Sequence, residues 1–376
     1  MVPNSNSAII IGGSLGGLFA GVLLQRAGWH VNIYERSISG LEGKGAGLVP
    51  QREVEQILGE IGRKDVVRTG VVARERIFLN RAGKVVSAVP TPQAQISWDL
   101  LFSAFRNEVP DHRYHKGQAV AEVESSETGA RVEFSDGSSE QADLIVGADG
   151  IGSVARKAVA PGTEPSYAGY VAFRGLSSET RLPKESAALV SERFTFFDAP
   201  GSQFLGYLVA GADGSTEWGR RRFNWVWYRQ LTAEKLVAAL TSDAGGRREY
   251  SVPSSGLSAH TREELRLAAE NHLPEVLSDI VTDEEFPFLQ AIYDYEAPRI
   301  RSGRAILLGD AAYVVRPHTA MGVSKAAGDA IALRDALTQE DSLHIALEKY
   351  NGVRMAAGSA IARYGQRLGE RFTHRI

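Results

Sequence analysis

Gly12, Gly13, Ser14 and Gly16 lie close together near the start of the chain, and an acid, Glu35, follows about twenty residues later. Far downstream a second acid, Asp310, follows Gly309 at the end of an apolar run. These residue types suit one task, holding the phosphates and sugar hydroxyls of a dinucleotide. A glycine-rich turn lets backbone N–H groups approach a pyrophosphate, and the helix after it aims its positive end at the phosphates. A carboxylate at Glu35 accepts hydrogen bonds from ribose hydroxyls and repels a 2′-phosphate, which argues against NADP at this site. Ser14 stands where the second glycine of G-x-G-x-x-G is expected. It is the smallest substitute with a side chain, and its hydroxyl is within reach of a phosphate. A glycine-rich turn without a ligand is the bland alternative; strand, helix and distal acid in register argue against it.

The elements that position these residues follow from hydrophobic pattern. Ala8 to Ile11 reads as a buried parallel strand, Gly16 to Ala27 as a helix, and Val31 to Tyr34 as a second strand. A helix is expected around Asp99 to Glu108, strands at Ala119 to Glu124 and Ala130 to Phe134 joined through a turn at 135–138, and an apolar strand from Asp143 to Ala148. Ala305 to Leu308 forms another, with a helix beginning near Gly322. Between 166 and 284 the chain turns aromatic and β-branched. Tyr167 to Gly175, Arg193 to Phe197, Phe204 to Ala210 and Arg222 to Arg229 read as antiparallel strands, joined by Ile77 to Val89. Helices are expected at Thr232 to Leu240 and Thr261 to Asn271, and from Asp329 to the end. The fold class is therefore α/β. A discontinuous Rossmann-like domain (1–70, 96–165 and 285–335) interleaves with a second domain on a mainly antiparallel sheet (71–95 and 166–284), and a helical segment (336–376) follows.

A length of 376 residues suits two such interleaved domains. With 43% hydrophobic and 23% charged residues the composition is that of a globular protein, and a net charge of −3 predicts neither nucleic acid nor membrane as a partner. The chain has no cysteine, which excludes disulfides, thiolate metal sites, iron–sulfur clusters and cysteine nucleophiles; no metal site is expected. The N-terminal apolar stretch lacks the basic flank of a signal peptide, and no apolar run reaches membrane-spanning length. A cytoplasmic protein is the expectation. There are no internal repeats.

With the Gly12 turn, Asp149-Gly150 and Gly309-Asp310 in this order, the chain resembles the single-component FAD-dependent aromatic hydroxylases, the p-hydroxybenzoate hydroxylase-like fold. Within that family it most resembles the dihydroxypyridine hydroxylases. The closer match is carried by Gly12-Gly13-Ser14, Tyr34-Glu35-Arg36-Ser37, Tyr167 to Val171 with Arg174-Gly175, and Arg316-Pro317-His318 with Lys325. The resemblance implies non-covalent FAD, NADH or NADPH as transient co-substrate, and hydroxylation of a small electron-rich aromatic or hydroxypyridine-type ring by O₂ through a C4a-hydroperoxyflavin. It implies a monomer or homodimer. It assigns cofactor contacts to Gly12, Ser14, Leu15, Glu35, Arg36, Gly47, Gln51, Asp149, Gly309, Asp310, Pro317, Gly322 and Val323. Asp310 would meet the ribityl hydroxyls, Asp149 would serve both FAD and the passing nicotinamide, and the helix from Gly322 would face the flavin pyrimidine edge. Three departures stand out. Trp98 replaces an arginine, Tyr313 replaces a histidine, and Ala320 to Ser324 replaces a Gly-Gln-Gly-x-Asn run.

For the substrate, strand alternation puts Phe223, Trp225 and Trp227 on one face of 222–229, packing the core, and Arg222, Asn224 and Tyr228 on the other, roofing a pocket. His318 either sits near the flavin ring or bonds locally at a helix start. Tyr170 and Arg174 read as structural hydrogen-bonding residues that could serve the substrate. The run Arg220 to Arg222 reads as a solvated strand end. A flavin-dependent halogenase is the rival activity, but its Trp-x-Trp-x-Ile-Pro element fails at Arg229 and Gln230. A non-catalytic FAD-binding protein is the rival outside enzymology.

Overall fold

The computed structural model describes residues 6–39, 41 and 47–372. Ala8 to Ile11 are all buried, as expected of a strand covered on both faces. Their strand, β1 (Ser7–Ile11), lies inside a six-stranded sheet of order β17 (Arg301–Ser302), β18 (Ala305–Leu307), β10 (Leu144–Gly147), β1, β2 (His30–Glu35), β6 (Tyr114–Lys116). All neighbours are parallel except the edge pair β17–β18. Helix α1 (Leu15–Arg26) leaves the Gly12 turn and packs on α4 (Trp98–Arg106) and α10 (Gly322–Gln339), and α2 (Arg52–Glu60) also packs on α10. The short α3 (Asp65–Arg68) meets α4. A three-stranded antiparallel sheet, β7 (Val120–Ser125), β8 (Ala130–Phe134) and β9 (Ser139–Ala142), adjoins the short helix α5 (Ala155–Val159).

The second sheet runs β15 (Ser251–Val252), β16 (Phe288–Glu296), β11 (Ser166–Ser178), β14 (Arg222–Gln230), β13 (Ser202–Val209), β12 (Arg193–Ala199), β4 (Val71–Leu79), β5 (Val85–Ser97), β3 (Gly47–Leu48), with β19 (Tyr313–Val314) on β16. It is antiparallel apart from β12–β4. One face carries Phe223, Trp225 and Trp227, none of them exposed, and packs on residues of α7 (Ala233–Ala239), α8 (Ala259–His272) and α9 (Glu275–Thr282). Helix α6 (Lys184–Val190) joins this layer against α9. The other face looks toward the parallel sheet, and a cavity lies between them.

Two boundaries differ from expectation. Residues 285–335 were expected to belong wholly with the nucleotide-binding sheet, yet β16 pairs with β11 in the second one. Likewise β5 runs through the 95/96 boundary to Ser97. In both cases the chain passes between sheets within one extended segment, so composition does not change at the crossing. The single helix expected after Asp329 is two: α10 ends at Gln339, Glu340 is extended, and α11 (Leu343–Gly369) starts after Ser342. Ser342 is a residue type that starts helices, a signal outweighed in the sequence by the apolar spacing across it. Residues 373–376, included in that expected helix, lie outside the described residues.

Candidate active site

The dinucleotide turn is dictated by close packing. Gly12 holds φ at +105°, and a β-carbon there would collide with the Ala148 carbonyl; one on Gly13 would collide with the Tyr114 hydroxyl, which itself donates to the Gly13 carbonyl at 2.8 Å. Ser14 is the N-cap of α1 but its side chain makes no cap hydrogen bond, so the hydroxyl and the first N–H groups of α1 remain for a ligand. Glu35 is 6% exposed and both its oxygens are engaged, one by Gly13 N (2.9 Å) and one by Ser37 N (2.8 Å). It holds the turn's shape first, with the remaining lone pairs of a carboxylate left for sugar hydroxyls. Arg36 is exposed, and neither it nor Glu35 lines the cavity described below.

The loops 149–151 and 309–311 are stitched together by Arg156, 4% exposed. Its guanidinium donates to the carbonyls of Ile151 (2.5 Å), Asp310 (2.9 Å) and Ala311 (3.0 Å) and lies 4.2 Å from the Tyr295 ring centre. Asp149 departs from expectation. Its carboxylate turns inward, accepting from Ser153 Oγ (2.5 Å), Val154 N (2.6 Å) and Ala155 N (3.2 Å). Burial raises its pKa, against the lowering effect of these bonds. Asp149 thus caps the start of α5, and it is its neighbours Ala148 and Gly150 that face the cavity. Gly309, at φ +61°, donates to Asp329 Oδ2 (2.8 Å), whose other oxygen takes Arg354 (2.6 Å). Asp310 projects outward and accepts from Lys325 Nζ at 2.9 Å.

A cavity of ≈ 1240 Å³ lies between the two sheets. Ser14, Leu15, Gly309, Asp310, Pro317, Gly322 and Val323 line one wall, with Gly47 and Gln51 at its rim; Gln51 donates to the Ala320 carbonyl at 3.1 Å. The opposite wall is the sheet face bearing Arg76, Phe194, Tyr207, Val226 and Tyr228. Ordinary single-ligand pockets hold roughly 300–1,000 Å³, so this space suits more than one small molecule. A second cavity of ≈ 890 Å³ shares Ser14, Arg174, Asp310 and Pro317 and opens toward Tyr250 and Phe286.

Of the four residues expected at the substrate, two line the cavity. His318 accepts or donates at Nε2 with the Tyr170 hydroxyl (2.9 Å), its ring 4.9 Å from Phe372 and 4.4 Å from Tyr228. Burial, then the nearby Arg371 and Arg316 charges, pushes its pKa down to about 3, so the imidazole is neutral. Burial also raises the Tyr228 pKa, keeping that phenol protonated. Asn224 and Arg222 share the parity of Tyr228 but do not reach the cavity. Asn224 is 0% exposed, beside Tyr207 in the neighbouring strand, and neither of its amide atoms has a hydrogen-bond partner among the described residues. Arg222 bonds the Ala210 carbonyl (3.1 Å) and Asp99 (3.2 Å), a link between the sheet and α4. Alternation gave their face; their place at the other end of β14 from Tyr228, where Asn224 is fully buried and Arg222 bonds α4, removes them from the site. The same alternation applied to β12 and β13 would have found Phe194 and Tyr207. Arg371 and Phe372 carried no signal, since only the return of α11 brings the chain end here.

A family model described as "FAD binding domain-like" matches residues 167–294. The chain is 29% identical over 375 residues to the 2,6-dihydroxypyridine 3-monooxygenase of Paenarthrobacter nicotinovorans, covering 100% of this chain and 93% of that protein. The structure of 2,6-dihydroxypyridine-3-hydroxylase from Arthrobacter nicotinovorans superposes with a TM-score of 0.92 at 28% identity, covering 99% of this chain and 94% of that one. Over its whole length the chain is similar to FAD-dependent aromatic hydroxylases. It is also 25% identical, over 86% of its length and 80% of the relative's, to the 6-hydroxynicotinate 3-monooxygenase of Bordetella bronchiseptica.

This hydroxylase accommodates its departures from the family pattern locally. Trp98, in place of arginine, lines the cavity and stacks on Phe102 at 4.9 Å. Tyr313, in place of histidine, is 1% exposed and sits against Gly358, while its carbonyl receives Lys325. Ala320 stands where the pattern has its first glycine and holds the left-handed φ of +53°. Among the described residues no helix is long and apolar enough to cross a membrane.

Proposed function

We propose that this hydroxylase uses NADH or NADPH and O₂ to hydroxylate a small electron-rich ring of the hydroxypyridine type. The observation that carries this reading is a cavity that joins the dinucleotide turn to a sheet face with aromatic and hydrogen-bonding side chains. Its residues fit FAD. Ser14 and the start of α1 suit the pyrophosphate, Asp310 the ribityl hydroxyls, and the N-terminus of α10 at Gly322 and Val323 the flavin pyrimidine edge. A β-carbon on Gly322 would meet nothing within 4 Å, so backbone there is open to a ligand.

FAD supplies the redox chemistry that activates O₂. The protein's part is orientation and exclusion of water. Phe194, Val226 and Leu205 give the ring an apolar wall; His318 and Tyr228 present polar hydrogens or lone pairs to its oxygens. Arg174, beside Gln290 (3.3 Å), contributes positive charge near Tyr207 and Tyr228. Trp225 and Trp227 are sealed in the core on the opposite sheet face, where they cannot take part in a halogenase site.

The purified protein should be yellow, with about one FAD per chain, and a panel including 2,6-dihydroxypyridine and 6-hydroxynicotinate should contain a compound that stimulates NADH or NADPH oxidation and gains one oxygen. Protein that stays colourless with added FAD, or consumes the nicotinamide cofactor equally with and without every ring, would refute the activity.

A further inference from the structure

The partners of His318 determine which of its nitrogens carries the hydrogen. Tyr170 is 0% exposed, and its hydroxyl meets two groups, Nε2 of His318 and the Arg316 guanidinium. The Arg316 guanidinium lies beside that phenol, 5.7 Å from the ring centre, anchored by Asp294 at 2.9 and 2.6 Å. Arg316 Nη1 and the Tyr170 hydroxyl would crowd the same β-carbon on Gly369. A guanidinium has donors only, so it cannot receive the phenolic hydrogen. If Nε2 carried a hydrogen, the Tyr170 hydrogen would be buried with no acceptor, a cost of about 1–3 kcal/mol. Tyr170 therefore donates to Nε2. A neutral imidazole that accepts at Nε2 bears its hydrogen on Nδ1. Nδ1 has no partner among the described residues and is not one of the sealed, unpaired polar atoms, so it opens to the cavity that His318 lines.

We propose that Tyr170 is a positioning residue that locks His318 as the Nδ1–H tautomer, making this end of the cavity select a ring that offers an acceptor oxygen, either a carbonyl or an oxyanion. His318 then acts as a fixed donor and leaves removal of the substrate's proton to another group. Tyr228, whose ring centre lies 4.4 Å from that of His318 and whose hydroxyl has no hydrogen-bond partner among the described residues, offers a second donor to the same oxygen. This rests on the proposed hydroxylase reading for the identity of the ligand, but the tautomer itself does not.

The test uses the FAD-loaded protein labelled with ¹⁵N-histidine. Long-range ¹H–¹⁵N correlation should show His318 neutral, with a protonated Nδ1 and a bare Nε2, and Tyr170→Phe should convert it to the Nε2–H form or a mixture. A second arm follows binding of 2,6-dihydroxypyridine by flavin fluorescence. Tyr170→Phe should weaken it by about tenfold, the worth of one hydrogen bond, with FAD affinity and melting temperature near wild type. His318→Asn, which can place an amide N–H near the Nδ1 position, should bind better than His318→Leu. An Nε2–H or imidazolium His318 in the wild type, or equal binding by His318→Asn and His318→Leu, would overturn the proposal. Failure of every ring to stimulate NADH oxidation would count against the hydroxylase reading alone, leaving the NMR result standing.

Discussion

Lys325 Nζ, on a side chain with 0% exposure, donates to Oδ1 of Asp310, whose own side chain is 52% exposed. The lysine comes from the start of α10 and also reaches the Tyr313 carbonyl, so one buried cation ties the cavity-facing acid to the helix whose N-terminus faces the same cavity. Asp310 is therefore both an outward acceptor and the counter-charge of a buried ammonium.

That dual role separates two substitutions. Asp310→Asn retains an acceptor for Lys325 and should lose mainly FAD affinity, by about tenfold or more, since charge-assisted hydrogen bonds are worth roughly 1.5–3 kcal/mol. Asp310→Ala strands the buried ammonium and should also lower the stability of the FAD-free protein, by about 3 kcal/mol. Equal melting temperatures for the two variants would show that Lys325 does not need Asp310.

The parity of β14 predicts opposite outcomes at neighbouring positions. Trp225→Ala opens the core and should cost roughly 3–5 kcal/mol. Asn224→Leu replaces a fully buried amide that lacks partners, so it should be neutral or mildly stabilising and leave the substrate KM unchanged. A raised KM in Asn224→Leu would mean that the amide reaches the substrate after all. Thermal melts and steady-state kinetics on both variants decide it.

Ala320 holds φ +53°, a backbone conformation that costs an L-residue about 1 kcal/mol. Ala320→Gly should raise stability by roughly 0.5 kcal/mol net of glycine's greater unfolded-state entropy, whereas Ala320→Val should lower it. Denaturant midpoints that fall for Ala320→Gly would indicate that the alanine methyl packs favourably enough to outweigh its strain.

His318 carries a pH signature. Its pKa falls from the ordinary 6.5 to about 3 in the folded state. Between those values the unfolded chain binds the proton and the folded one does not, so stability rises with pH through this window and is lost as pH drops below about 6.5. Melting temperatures of the wild type should decline more steeply from pH 6.5 to pH 5 than those of His318→Asn. Parallel declines would place the imidazole in a more hydrated setting than its packing against Phe372 and Tyr228 implies.

What the sequence determined by itself is the part of the protein written in local pattern. The Gly12 turn, the strand and helix either side of it, and Gly309-Asp310 at a strand end are short-range features whose steric and hydrogen-bonding demands involve neighbouring residues, and they were legible as such. Strand alternation likewise settled that Trp225 and Trp227 belong to the core. Tertiary structure decided which members of the other face meet ligand. Asn224 and Tyr228 have the same parity, yet Asn224 is fully buried beside Tyr207 while Tyr228 lines the cavity, because what packs over each end of the strand comes from segments distant in sequence. Asp149 could not be assigned from its motif, since its carboxylate is spent on the first turn of α5. Nor could sequence bring Tyr170, His318 and Phe372 together. Those three come from β11, the turn before α10 and the short turn after α11, and only packing of the two sheets and the return of the last helix makes them neighbours.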